Sequence, residues 1–328
     1  MRSTPIIISS VAILIAALMS SCVREIDLDY QRPTPTLVVN SIISPQHDVT
    51  VRVAKTVFAT NRNTPSHVEN ATVLLSIDRA NPVVLAPRSE SLKELQSKGF
   101  YTAPLRVQEG QYVKLEVKTP EGNHATTTGK MPRLVPIKDF KHSYVDRIDK
   151  EYIPLPDESS GKHTIREFTY EITFSDPAQE RNHYFIQVLD EYRSGFDIDY
   201  SRNEVFRAQL KAVDLFDASN LLTRREGMTF NDDRFDGQIH TLRLVERNHA
   251  PDFYLQQNRK REIRLYSITE DYYRYLTQLT NGDEDVFNSA LVEAGLADPP
   301  AIHSNIIGGV GILGLMQVDI RHTNIGGK

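Results

Sequence analysis

Period-two runs dominate the patterning of this chain. Val49, Val51 and Val53 recur at every second position, and Val113, Leu115 and Val117 alternate with Lys114 and Glu116. A repeat of two puts the apolar residues on one face of an extended strand, whereas a helix would scatter them around its axis. Leu37-Val38-Val39 and residues 73–77, 168–174 and 184–188 read the same way, and strands are also expected at 241–245 and 262–266. Turn signals separate the runs: Glu109-Gly110, Pro120-Glu121-Gly122 and Asp176-Pro177. Many short strands between such turns imply a mainly β fold whose first part, residues 37–133, is an immunoglobulin-like β-sandwich.

Pro132 and Pro136 cannot donate to a strand ladder, so a domain boundary is expected there. Residues 134–328 then form a second β-rich domain with one or two short helices. The first helix should open at Ser267-Ile268-Thr269-Glu270, which has the form of a capping box, and stop at Asn281-Gly282. A second is expected at 285–294, with Gly295 as its stop. Residues 89–98 read as a short helix or an irregular loop.

The amino terminus carries a different signal. After Arg2, the apolar stretch 5–18 is too short to cross a hydrocarbon layer of about 30 Å permanently, and it has the length of a secretory h-region. Residues 1–21 therefore read as a signal peptide. Ser20 and Ser21 precede Cys22, the single cysteine among 328 residues. That is what a bacterial lipobox requires: small side chains for the peptidase, then a thiol to carry diacylglycerol. Residues 22–36, with Pro33 and Pro35, read as a lipidated tether. Two or three acyl chains suffice for stable anchoring, since each buried methylene contributes roughly 0.8 kcal/mol. With Cys22 consumed by the lipid, no disulfide, cysteine nucleophile or thiolate metal site remains, and packing alone must hold the fold.

Composition excludes other classes. A formal net charge of -5, with 38 basic residues scattered singly, offers no field for a phosphate backbone, so no nucleic-acid partner is expected. No cofactor signature survives inspection. Gly309-Val310-Gly311-Ile312-Leu313-Gly314 spells G-x-G-x-x-G, but too little chain follows it for a βαβ unit, and a final strand entered through glycines is the better reading. The ten histidines never take the spacing of a zinc motif, and no nucleophile elbow or phosphate loop occurs. Two acidic patches, 231–237 and 281–285, suggest a hard cation; in the first, Asn231, Asp233 and Asp236 would be the ligands. Turn formation by Asn, Asp and Gly is the competing explanation there, and charge at a helix N-terminus explains the second. In the Tyr272-Tyr273-Arg274-Tyr275 cluster, helical spacing sends Tyr272, Leu276 and Leu279 to the core and leaves Tyr273 as the exposed candidate for ligand or partner contact.

Several segments together resemble a known family, the Bacteroidota outer-membrane lipoproteins of the domain of unknown function 4249. They are Cys22 with the residues up to Asp29, Leu37-Val38-Val39-Asn40, Asn70-Ala71-Thr72-Val73, Phe174-Ser175-Asp176-Pro177 and Asn182-His183-Tyr184-Phe185. Phe230-Asn231-Asp232 ahead of Phe235-Asp236-Gly237, residues 267–276, and residues 304–312 complete the set in family order. The resemblance implies a β-sandwich followed by a second β-rich domain. It also implies an accessory role beside a TonB-dependent receptor, with no established catalytic residues. Glu25, Asp27 and Asp29 resemble the signal that sends such lipoproteins to the cell surface. The expectation is thus a non-enzymatic lipoprotein anchored to the outer membrane, serving in binding or as an uptake accessory. A surface hydrolase of glycans or peptides, with unplaced paired carboxylates, and a structural or adhesive module are the alternatives.

Overall fold

A computed structural model describes residues 34–56, 67–88, 98–148, 164–192, 204–207, 210–212, 222–224, 227–248, 259–284 and 302–325. The signal peptide, Cys22, the tether up to residue 33, the expected helix at 285–294 and residues 89–97 lie outside them. From Pro35 the chain forms one compact unit. Among the described residues it is mainly β, with seventeen strands and one helix. No helix among them is long and apolar enough to cross a membrane.

The first seven strands are β1 (Leu37–Ile43), β2 (Val49–Lys55), β3 (Thr72–Ile77), β4 (Val83–Pro87), β5 (Phe100–Ala103), β6 (Tyr112–Lys118) and β7 (His124–Lys130). Their alternation does what the sequence implies. Leu37, Val39 and Ile43 of β1, Val49, Val51 and Val53 of β2, and Val113, Leu115 and Val117 of β6 all point into one buried cluster. Tyr101 of β5 adds its ring, and its hydroxyl is satisfied by donating to the Val68 carbonyl (2.7 Å) and accepting from the Ala71 amide (2.9 Å). The order along this stretch is β1-β2-β5-β4-β3-β6-β7. This agrees with the expected sandwich-like β fold and adds three strands, β4, β5 and β7, that the sequence pattern does not announce.

The chain continues through β8 (Ile137–Ile148), β9 (Thr164–Ser175), β10 (His183–Tyr192), β11 (Glu204–Arg207), β12 (Leu210–Ala212), β13 (Leu222–Arg224), β14 (Gly227–Asn231), β15 (Ile239–Asn248) and β16 (Arg259–Ile268). It ends with the helix α1 (Glu270–Glu284) and β17 (Val310–Ile325). A four-stranded sheet, β12-β15-β9-β8, presents Phe168, Tyr170, Ile172 and Phe174 of β9 with Leu242 and Leu244 of β15. Tyr184, Ile186 and Val188 of β10 and Ile263 and Leu265 of β16 close the same core. The opposite face of β10 and β16 carries Phe185, Tyr266 and Ile268, and Leu276 of α1 covers them.

β17 joins the two halves. It pairs in parallel with β1 (Val38 to Val310, Ile43 to Leu315) and antiparallel with β16 (Ile268 to Met316). Gly309 and Gly311 of the G-x-G-x-x-G string serve this close approach to β1. Gly311 has φ +124, and a Cβ there would stand 2.1 Å from the Val39 carbonyl oxygen.

The helix differs from expectation at both ends. Ser267 and Ile268 remain in the β16 ladder between β10 and β17, so the helix starts at Glu270. The Tyr273 amide makes the first helical bond back to the Thr269 carbonyl (2.9 Å). At the other end α1 runs through Asn281 and Gly282 to Glu284. Asp283 and Glu284 thus lie in its last turn, where the macrodipole disfavours acids, and the helix expected to follow them lies outside the described residues.

Candidate functional site

A concentration of polar groups lies where two turns meet, 176–182 between β9 and β10 and 232–238 between β14 and β15. Pro177 ends β9, and Asn182 ties its own turn by donating Nδ2 to the carbonyls of Pro177 (3.0 Å) and Glu180 (3.1 Å). In the other turn the Phe235 amide donates to the Asp232 carbonyl and the Gln238 amide to the Phe235 carbonyl, both at 2.9 Å. The short bonds fold the turn tightly enough to bury Phe235, whose ring stacks on His240 with centroids 4.2 Å apart. Gly237, at φ +69, is required here because a Cβ would meet the Ala178 Cβ at 2.7 Å.

Three carboxylates bridge the turns. Asp176, Asp232 and Asp236 each offer an oxygen within 4.8 Å of the others; Asp176 and Asp232 are buried and Asp236 is exposed. Asp176 accepts from the Tyr184 hydroxyl and from the Gly237 amide (2.9 Å). Asp232 accepts from the Asn182 amide (2.7 Å), and Asp236 from the Gln179 amide (3.3 Å). Burial, reinforced by the charges of Asp232 and Asp236, holds the Asp176 carboxyl above the ordinary carboxylate range despite the donors it accepts from. Burial and the neighbouring Asp176 push the Tyr184 phenol up as well.

The structure thus groups different residues from those the acidic pattern suggested. Of Asn231, Asp233 and Asp236, only Asp236 belongs to the cluster. Asp233 pairs with Arg181 (2.9 Å), which holds its carboxyl low, and Asn231 donates to Asp233 (3.0 Å) on the outside of the turn. Asp176 and Asp232 went unnominated, although both stand in the segments that carry the family resemblance. The oxygen spacing suits a hard cation, whose ligands lie at about 2.3–2.6 Å from it. Every member of the cluster nevertheless already accepts a turn amide, so the group's evident work is to clamp the turns together.

Tyr273, expected to be exposed, is half-buried, its ring 4.8 Å from that of His183. Burial pushes its phenol up and the His183 imidazole down. Of its helical neighbours, Leu276 is buried, while Tyr272 and Leu279 are half-buried. His303 Nε2 donates to Asp271 of α1 (2.8 Å), and Asn305 donates to the other Asp271 oxygen (3.3 Å), fixing the loop that leads into β17.

A comparison with curated proteins finds no match. The profile of the family described as Domain of unknown function (DUF4249) matches residues 23–321, from just after the single cysteine to the last part of β17. The match spans both β halves and the strand that unites them, and the chain belongs to this family.

Proposed function

We propose that the chain is a lipoprotein of the Bacteroidota outer membrane, anchored through Cys22, that acts without covalent chemistry as a binding or accessory component of a TonB-dependent uptake system. The observation that carries this reading is the amino terminus. A short apolar stretch ends at the one cysteine of the sequence, and a Pro-stiffened segment leads from it into a β body that begins at Leu37. The family resemblance supplies the association with TonB-dependent receptors. The carboxylate cluster fits a binding body better than an acid–base site, because its buried members accept structural amides and a structural phenol. Tethering raises the effective concentration of such a body beside a receptor in the same membrane without any new contact.

Crosslinking of intact cells, purification from detergent-solubilised outer membrane and mass spectrometry of the recovered material test the proposal. Recovery of one TonB-dependent receptor, with crosslinks confined to one face of this chain, is the expected result. Recovery of the chain alone would overturn the stable complex. Separately, Cys22→Ser should abolish incorporation of labelled palmitate, and incorporation that persists in this variant would sink the anchor assignment.

A further inference from the structure

We propose that the end of the first β half where the tether joins it rests on the phospholipid surface, with Ile307 as the side chain that enters the bilayer interface. The inference builds on the lipid-anchor reading and adds an orientation to it.

Register places several chain ends together. Leu37 opens β1 opposite Lys55, the last residue of β2, and Val310 opens β17 beside Val38. At the same end, Lys118 closes β6 opposite His124, the first residue of β7, and Lys55 reaches Glu121 in the turn between them (3.4 Å). The loop before β17 lies across this end. Gly308, at φ +81, packs so closely that a Cβ would stand 2.2 Å from the His124 carbonyl oxygen, and at Gly309 it would stand 2.6 Å from that of Leu37.

The loop is rigid, and it holds an apolar side chain out in water. Ser304 Oγ accepts the amides of Ile306 (3.3 Å) and Gly311 (3.1 Å), and Asn305 Oδ1 accepts that of Leu313 (2.9 Å). Ile307 exchanges both backbone hydrogen bonds with Thr126 at 2.9 Å. Ile306 turns into the core, so Ile307 turns outward, where it is 72% exposed, more than any other large hydrophobic side chain among the described residues; Val310 beside it is 40% exposed. An isoleucine held in water gains no burial energy until something covers it, and a preordered loop loses little further freedom when it inserts. Exposed Lys118 and His124 flank the loop, in position to meet phosphate headgroups.

Covalent connection identifies the occupant as lipid. Twelve residues, 23–34, separate Cys22 from Pro35, and they span at most about 40 Å even when fully extended. The tether enters the fold at the end bearing Ile307, so contact of that end with the membrane needs the least of this reach. The opposite end, marked by Tyr112 and Lys130, stands one strand length away, about 20 Å.

The absence of tryptophan from the chain allows a direct test. The full lipidated protein, as Ile307→Trp or Tyr112→Trp, is incorporated into phosphatidylethanolamine–phosphatidylglycerol vesicles containing phosphatidylcholine brominated on its acyl chains. Both positions are exposed, so the fold tolerates either ring. Flotation with the vesicles, blue-shifted and quenched emission from Ile307→Trp, and unquenched emission from Tyr112→Trp are expected. Flotation with neither variant quenched, or with both quenched equally, overturns the orientation and leaves the anchor standing. Failure to float overturns the anchor and the orientation with it.

Discussion

At the scale of single residues, two glycines separate the cost of strain from the cost of space. Gly110 (φ +76) and Gly311 (φ +124) both occupy backbone that L-residues avoid, but a Cβ at Gly110 meets nothing within 4 Å, whereas at Gly311 it lies 2.1 Å from the Val39 carbonyl. Gly110→Ala should cost about 1–2 kcal/mol, the left-handed penalty alone. Gly311→Ala should cost about 3 kcal/mol or more, because β17 must also move off β1. Denaturant unfolding of both variants measures the difference, and equal losses would show that contact with β1 contributes nothing. Asp176 gives a pH signature. Its folded-state pKa lies above the ordinary value of 3.8, so the folded chain holds this proton more tightly than the unfolded one. The group's contribution is then greatest at low pH and declines as pH rises from about 3.8 through the raised value. Asp176→Asn should cost a constant amount for the lost acceptor and remove that decline, so the variant closes on the wild type as pH rises through this window. Parallel stability curves would refute the shifted carboxyl. These assignments also show what a linear sequence conceals. Asp176 and its Gly237 donor are 61 residues apart, and nothing in either segment by itself reveals the pairing, whereas the Asn231–Asp233 contact is local and misled for that reason.

Elements were readable where burial follows local alternation. Strands β1, β2, β3, β6, β9 and β10 carry their apolar faces in their own sequence, and all were expected. β7 was not, since His124–Lys130 holds only Ala125 as an apolar anchor. The reason lies in its neighbour: Leu315 of β17 packs so closely that a Cβ at Gly129 would meet its Cδ1 at 2.8 Å. A strand that must be thin to admit a distant leucine has no hydrophobic signature of its own. The helix N-terminus was misplaced because a capping box at Ser267 competes with a ladder that already uses Ser267 and Ile268 on both sides. The contact between elements that most invites perturbation is the buried ion pair joining β16 to the facing sheet. Arg261, 1% exposed, bonds through Nη1 to Glu246 of β15 and to the Tyr170 hydroxyl of β9, and through Nη2 to the other Glu246 oxygen (3.1 Å). Its guanidinium lies 4.3 Å from the centre of the Phe168 ring, and burial pulls its pKa down to about 9. Removing one partner of such a pair strands a buried charge at a cost of about 3–5 kcal/mol, whereas replacing both with apolar groups can be neutral. Arg261→Met should therefore destabilise strongly, and adding Glu246→Leu should restore much of the loss in a double-mutant cycle. Additive losses would mean that the pair is not coupled.

On the scale of the whole molecule, β17 determines what can fold alone. The first core is built from residues 37–131 except for Ile306, Leu313 and Leu315, which arrive from the far end of the chain. A chain comprising residues 35–133 would lack those three side chains and leave β1 as an open edge, with the bonds that Val310–Leu315 supply unmet. An unpaired, apolar edge strand is an aggregation template, and three vacated core positions forfeit a large part of a stability that for ordinary domains is only about 5–15 kcal/mol. The isolated segment should therefore bind a hydrophobic dye and unfold without a cooperative transition. Residues 302–317 supplied on the same chain should repair it. The graft must return from the end of β7 to its start, about 23 Å for seven residues of strand, and about 16 Gly/Ser residues have that mean reach. Circular dichroism melts of the two chains decide the matter. A cooperative transition in the isolated segment would mean that the first sandwich is complete without β17. Recovery only in the grafted chain would mean that one strand near the carboxyl end closes a core begun at Leu37, so that the fold's two halves cannot be separated by cutting at the Pro132–Pro136 stretch.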